Sequence, residues 1–175
     1  MGMYSPAPHR TSVSSAPYRT RPLSRRTQMM ARGPGWRLAE GAGMTWHVRL
    51  TNEASDPVLT WAHMLRTIRC LADGRGLRPL VVDLRRAPRL SGKAAEAAAL
   101  VFEQYEVSGI RVATIAGPDM VLAVRLHRLH NLNAPTQGLA CLGGDEAFEW
   151  ASQCPPPASV PFGCVDAVRV PQLRA

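Results

Sequence analysis

The chain has 175 residues, 46% of them hydrophobic, which bounds it to about one globular domain with a tail. No apolar run approaches the ~20 residues that span a bilayer. The basic N-terminus also lacks the apolar stretch of a secretory signal, so a non-secreted, cytoplasmic protein without a transmembrane segment is expected. The net charge of +8 divides unevenly: residues 1–39 hold seven arginines and no acid, and residues 40–175 carry only +1. The pI of 10.3 therefore belongs to the N-terminal arm and does not imply a nucleic-acid-binding body.

Residues 1–35 are rich in Ser, Pro and Arg and poor in large aliphatics, too little apolar surface to offset the entropy of ordering. They read as a disordered basic arm. Its acid-free, Arg- and Ser-rich character is also that of a transit peptide, and Met1, Met30 and Met44 are alternative starts. Residues 36–153 read as one α/β domain. Trp36 and Leu38, then Trp46, Val48 and Leu50, alternate with polar neighbours around Glu40-Gly-Ala-Gly43, which predicts a β-hairpin. Asp56-Pro57 supplies an N-cap and a first helical residue. Val58, Trp61, Leu65, Ile68 and Ala72 follow as an amphipathic stripe ended by Gly74 and Gly76.

A buried strand follows at 78–84, Leu80-Val-Val-Asp-Leu84 at its heart, and then a basic loop. The second helix runs from about Ser91 to Val107 and is apolar round most of its circumference, Leu100 included. A strand at 110–116, a helix at 120–130, a short strand at 137–142 and a helix at 146–153 complete the pattern. Residues 154–175 contain five prolines and read as an irregular tail. The order ββαβαβαβα predicts a mixed, mainly parallel sheet with an antiparallel N-terminal hairpin.

The segments Arg49–Glu53, Leu80–Leu84, Val112-Ala-Thr-Ile-Ala-Gly117 and Asp145-Glu-Ala-Phe-Glu-Trp150 resemble a STAS-like domain, as in small bacterial proteins related to anti-sigma-factor antagonists. The resemblance covers residues 36–152 and implies a non-enzymatic regulatory module, expected to act by binding through the strand-to-helix loop at 85–93 and the second helix; its partner would be a protein, or a small anionic or lipid-like ligand in a groove beside the third helix. Proteins of that family carry Asp-Ser-Ser-Gly after the strand, with a phosphorylated serine. Here the loop is Arg89-Leu-Ser-Gly-Lys93, so the resemblance leaves Ser91 as the one position for a phosphoacceptor.

The loop itself offers an anion or ligand site. Arg85, Arg86, Arg89, Ser91, Gly92 and Lys93 gather at a helix N-terminus, where free N–H groups and the dipole favour negative charge. Ser91 serves equally as a helix cap, and a solvated basic loop is the alternative to the anion site. Asp83 reads as an acceptor of backbone N–H groups in the turn that follows it. His127 and His130 share a helix edge but lack a third ligand, and Arg125 and Arg128 would oppose a cation; both histidines read as surface or helix-end residues, with no metal. Cys70 and Cys141 read as small core hydrophobes, and Cys154 and Cys164 as free thiols that could be bridged. No nucleotide, phosphate-loop or nucleophile-elbow motif is present, so no catalytic residue and no cofactor are expected. The other reading of function is an electrostatic binder of nucleic acid or acidic membrane through the arm.

Overall fold

The computed structural model describes residues 28–41, 44–51, 56–87, 90 and 92–153. Among them the order is β1 (Gln28–Gly33), β2 (Trp36–Glu40), β3 (Trp46–Leu50), α1 (Pro57–Arg75), β4 (Leu80–Asp83), α2 (Gly92–Val107), β5 (Val112–Ile115), α3 (Met120–Asn133), β6 (Gly138–Cys141) and α4 (Gly144–Ser152). The six strands form one sheet in chain order. β1, β2 and β3 pair antiparallel, and β3 to β6 pair parallel. This is the α/β class and the mixed sheet that the alternation of strands and helices predicts.

Strand periodicity divides the side chains between two faces. Trp36, Leu38, Trp46, Val48, Leu50, Leu80, Val82 and Val112 point to one face and pack with Trp61, Met64, Ile68, Val101, Phe102 and Leu126 of α1, α2 and α3. Consecutive parallel strands joined by crossovers of one hand place every connecting helix on the same side. The chain leaves β6 without a further strand to reach, and α4 folds over the opposite face. There Ala147 and Ala151 cover Val81, Ala113, Ile115 and Cys141.

Local signals explain the helix ends. The Asp56 Oδ1 accepts from the Val58 and Leu59 amides at 2.8 and 3.2 Å, and Pro57 supplies the first helical φ. Gly76, at φ 74°, closes α1 with its N–H on the Ala72 carbonyl. Asp119 caps α3 through the Leu122 amide at 3.0 Å.

Several expectations are corrected. The segment read as a disordered arm contains β1. As a free segment it cannot offset its ordering entropy, but beside β2 it gains main-chain hydrogen bonds and lays Met30 and Ala31 on the core. Among the described residues the strand order therefore begins with three strands rather than two, and Gln28–Gly33 belongs to the sheet. α3 continues to Asn133 instead of stopping at His130. Asn133 bonds back to the Leu129 carbonyl at 2.8 Å, and the helix ends at Ala134, the residue that Pro135 forces out of the helical region. His130 is not at the surface but fully buried. Its Nε2 lies 3.0 Å from the Thr114 hydroxyl, and its ring stacks on Phe102 at 4.2 Å. Cys70 is exposed, while Cys141 is buried as expected. Leu100 points to solvent on the outer side of α2.

Candidate functional site

The strand-to-helix turn that the sequence singled out begins at Asp83, the last residue of β4. Its carboxylate is buried and accepts from the Arg85 backbone amide at 3.1 Å. It also accepts from the Arg85 Nε at 2.9 Å and Nη2 at 2.7 Å. The Arg49 Nε lies 3.5 Å away. Burial by itself would raise this carboxyl, but the Arg85 hydrogen bonds and the Arg85 and Arg49 charges outweigh it and hold Asp83 below the usual carboxylate range. Arg85 is held against Gly117, whose φ of 68° suits glycine and where a Cβ would come 2.8 Å from the Arg85 Cγ. Asp83 thus takes the backbone bond expected of it and, in addition, a bidentate arginine.

The consequence for the predicted anion cluster is that its members part company. Arg85 is committed to Asp83. Arg86 is exposed, and Gly92 and Lys93 are exposed on the first turn of α2. Arg89 and Ser91 lie outside the described residues, as do Cys154 and Cys164.

A larger feature lies between the start of α2 and α3. An open groove of about 410 Å³ is lined by Leu90, Gly92, Ala95, Arg125, Arg128, Leu129 and Leu132. Ligand sites span roughly 300–1,000 Å³. Its floor is apolar: Leu90 is buried, and Ala95 and Leu129 are half-buried. Arg125 and Arg128 flank the floor and are exposed, with no carboxylate partner among the described residues. Leu132 is 81% exposed, and Val121 and Val124 also face solvent on α3. A second gap, between Trp61, Leu84 and Ala94, measures about 10 Å³ and has room for no more than one water. Sequence reasoning placed a groove beside the third helix from the family resemblance, but treated Arg125 and Arg128 only as neighbours of the histidines. Their i, i+3 spacing puts both on one edge of the helix, a signal that was legible.

On the other face of the sheet, His47 is buried, with the Phe148 ring edge-on at 5.1 Å. Burial lowers its pKa to about 4, with Arg49 and Arg85 adding to the effect and Asp83 opposing it. Arg111 stacks over Trp150 at 4.0 Å and donates to the Trp150 carbonyl at 2.9 Å, anchoring the end of α4. Glu106, at the end of α2, accepts from the Thr136 hydroxyl and the Gln137 amide, tying α2 to the chain entering β6.

Among the described residues no helix is long and apolar enough to cross a membrane, and no group of three His, Cys, Asp or Glu could hold a metal ion. No protein-family model, no curated protein and no solved structure matches the chain.

Proposed function

We propose that this chain is a non-enzymatic, STAS-like regulatory module that binds a small anionic amphiphile in the groove between α2 and α3. The observation that carries the reading is the pairing, in one groove, of an apolar floor with two arginines that have no carboxylate partner among the described residues. Guanidinium groups match carboxylate or phosphate through two parallel hydrogen bonds. Leu129, Leu132 and Ala95 offer an apolar tail a surface out of water, worth about 25 cal/mol per Å² buried. The N-terminus of α2 at Gly92 adds a favourable field for the same head group. In this reading Arg85 positions the strand-end turn through Asp83, and the ligand contacts fall to Arg125 and Arg128. The resemblance of residues 36–152 to STAS-like domains supports a binding role over a catalytic one.

The test is calorimetric titration with dodecyl phosphate below its micelle concentration, beside inorganic phosphate. Dodecyl phosphate is expected to bind with a negative heat-capacity change, and inorganic phosphate much more weakly. The Arg125→Ser/Arg128→Ser variant is expected to lose roughly tenfold or more in affinity, and Leu132→Asp a comparable amount. Binding that neither variant changes would overturn the assignment, as would a titration with no heat at any temperature.

A further inference from the structure

The face of the sheet opposite α1, α2 and α3 is only partly covered. α4 covers β4, β5 and β6 through Ala147 and Ala151. Over β1–β3 the helix reaches only His47, through the Phe148 ring, and no helix residue among those described is in ring contact or ion pair with Arg32, Arg37 or Arg49. Across it the strand register sets Arg32 opposite Arg37, Arg37 opposite Arg49 and Arg49 opposite Asp83. Directly opposed residues point to the same face, and strands lie about 4.8 Å apart. Ala31, Gly33, Trp36 and Leu38 turn the other way, toward α1. Three arginines therefore stand side by side in one row on an open face. Arg32 and Arg37 are exposed, and Arg49 is 39% exposed at its side chain. The row's single acid, Asp83, is already engaged by Arg85 and by the last arginine of the row.

Like charges placed directly opposite on neighbouring strands destabilise a sheet. An uncovered row of three is an arrangement that a bound polyanion would relieve. The chain that enters β1 adds Arg10, Arg19, Arg21, Arg25 and Arg26 with no acid among them, so the basic character of the row continues along the sequence. Twenty of the 21 basic residues are arginine, whose planar fork suits phosphate oxygens better than a lysine ammonium does.

We infer that the β1–β3 face is a nucleic-acid contact surface, in which Arg32, Arg37 and Arg49 hold successive phosphates of a single strand. The folded body then binds through its own residues. The row itself holds no aromatic ring, and the ring in the next row, His47 opposite Ala39, is buried under Phe148, so bases have nothing exposed to stack on beside the arginines and the recognition reads backbone, not sequence. This surface lies across the sheet from the α2–α3 groove and does not depend on it.

The experiment uses the full chain and a fluorescein-labelled single-stranded oligonucleotide of about 15 nucleotides, with binding followed by anisotropy from about 50 to 200 mM salt. Each phosphate contact on a single strand contributes about −0.7 to the slope of log affinity against log salt. The Arg32→Ser/Arg37→Ser variant is expected to flatten that slope by about 1.4 and to weaken binding roughly tenfold near 100 mM salt. The Arg32→Lys/Arg37→Lys variant should keep the slope. The Arg125→Ser/Arg128→Ser variant, on the far side of the molecule, should bind as the parent does. Circular dichroism and a thermal melt show that each variant is folded, which is expected because both positions are exposed. An unchanged slope in Arg32→Ser/Arg37→Ser would overturn the inference and leave the arm as the sole contact. An equal loss in Arg125→Ser/Arg128→Ser would overturn it in favour of diffuse charge. Displacement of the oligonucleotide by poly-glutamate at equal charge concentration would overturn it in favour of an acidic polypeptide.

Discussion

Asp83 shows how one buried carboxylate can organise a turn without being available for chemistry. Its oxygens face Arg85 and Arg49 at 2.7–3.5 Å, so Asp83→Asn leaves two guanidinium groups without a counter-charge. Both arginines are more than a third exposed, and water screens part of the loss. A decrease of about 1–3 kcal/mol in urea-unfolding free energy is expected, below the ~3–5 kcal/mol of a fully buried broken pair. His47 and His130 both sit near pKa 4 in the fold, each displaced chiefly by burial, against 6.5 when exposed. A depressed histidine pKa means that the unfolded chain binds the proton more readily. Each contribution is therefore complete above pH 6.5 and is lost as the pH falls toward 4, by roughly 3 kcal/mol per histidine at about 1.4 kcal/mol per unit. Urea unfolding at pH 7 and pH 5 should show the loss, and His47→Gln should remove about half of the difference; a parent protein equally stable at both values would contradict it. Gly138 lies against His130, and a Cβ there would come 2.6 Å from the Ala134 carbonyl oxygen. Gly138→Ala is expected to lower stability by at least about 2 kcal/mol, whereas Gly143→Ala, with nothing within 4 Å, should cost far less.

Elements in this protein are stabilised unevenly. α1 has a side-chain cap, a proline start and a buried stripe of Trp61, Met64, Leu65 and Ile68. Asp56→Ala should cost about 1 kcal/mol in thermal or urea unfolding through the loss of two capping bonds. α3 is different. Leu126 and His130 are its fully buried side chains, and Met120, Val121, Val124 and Leu132 remain exposed. Amide exchange should accordingly open α3 before α1 or α2, because local stability follows buried contacts. A helix so lightly buried can adjust to a ligand lying along it at little cost to the fold, and ligand bound in the groove should slow exchange in α3 first.

At the scale of the whole molecule, the sheet separates two surfaces of different chemistry. The helical face presents a groove with an apolar floor and two arginines. The opposite face presents an arginine row on β1–β3 and a short helix over β4–β6. The two should respond differently to salt: amphiphile binding, driven partly by apolar burial, should weaken modestly, while polyanion binding should fall steeply. Titrating each ligand at ~50 and ~200 mM salt checks this directly.

The chain's own residues determined the class of fold. Period-two runs at Trp36–Leu38 and Trp46–Leu50, the continuous apolar run at Leu80–Val82, caps at Asp56 and Asp119 and the Gly76 stop are local signals, and local structure follows them. They also marked the turn after β4 as a place of interest. The tertiary structure decided what that turn can do. It sent Arg85 back to Asp83, because a buried carboxylate requires counter-charge wherever the fold can supply it. It also decided β1, because an edge strand takes its stability from the neighbouring strand's hydrogen bonds, which no residue of Gln28–Gly33 announces. Burial of His130 likewise required β5 and β6 to present Thr114 and Gly138 beneath α3. The arginine row is written in the sequence at positions 32, 37 and 49, yet it becomes a row only when three separated segments are brought into register.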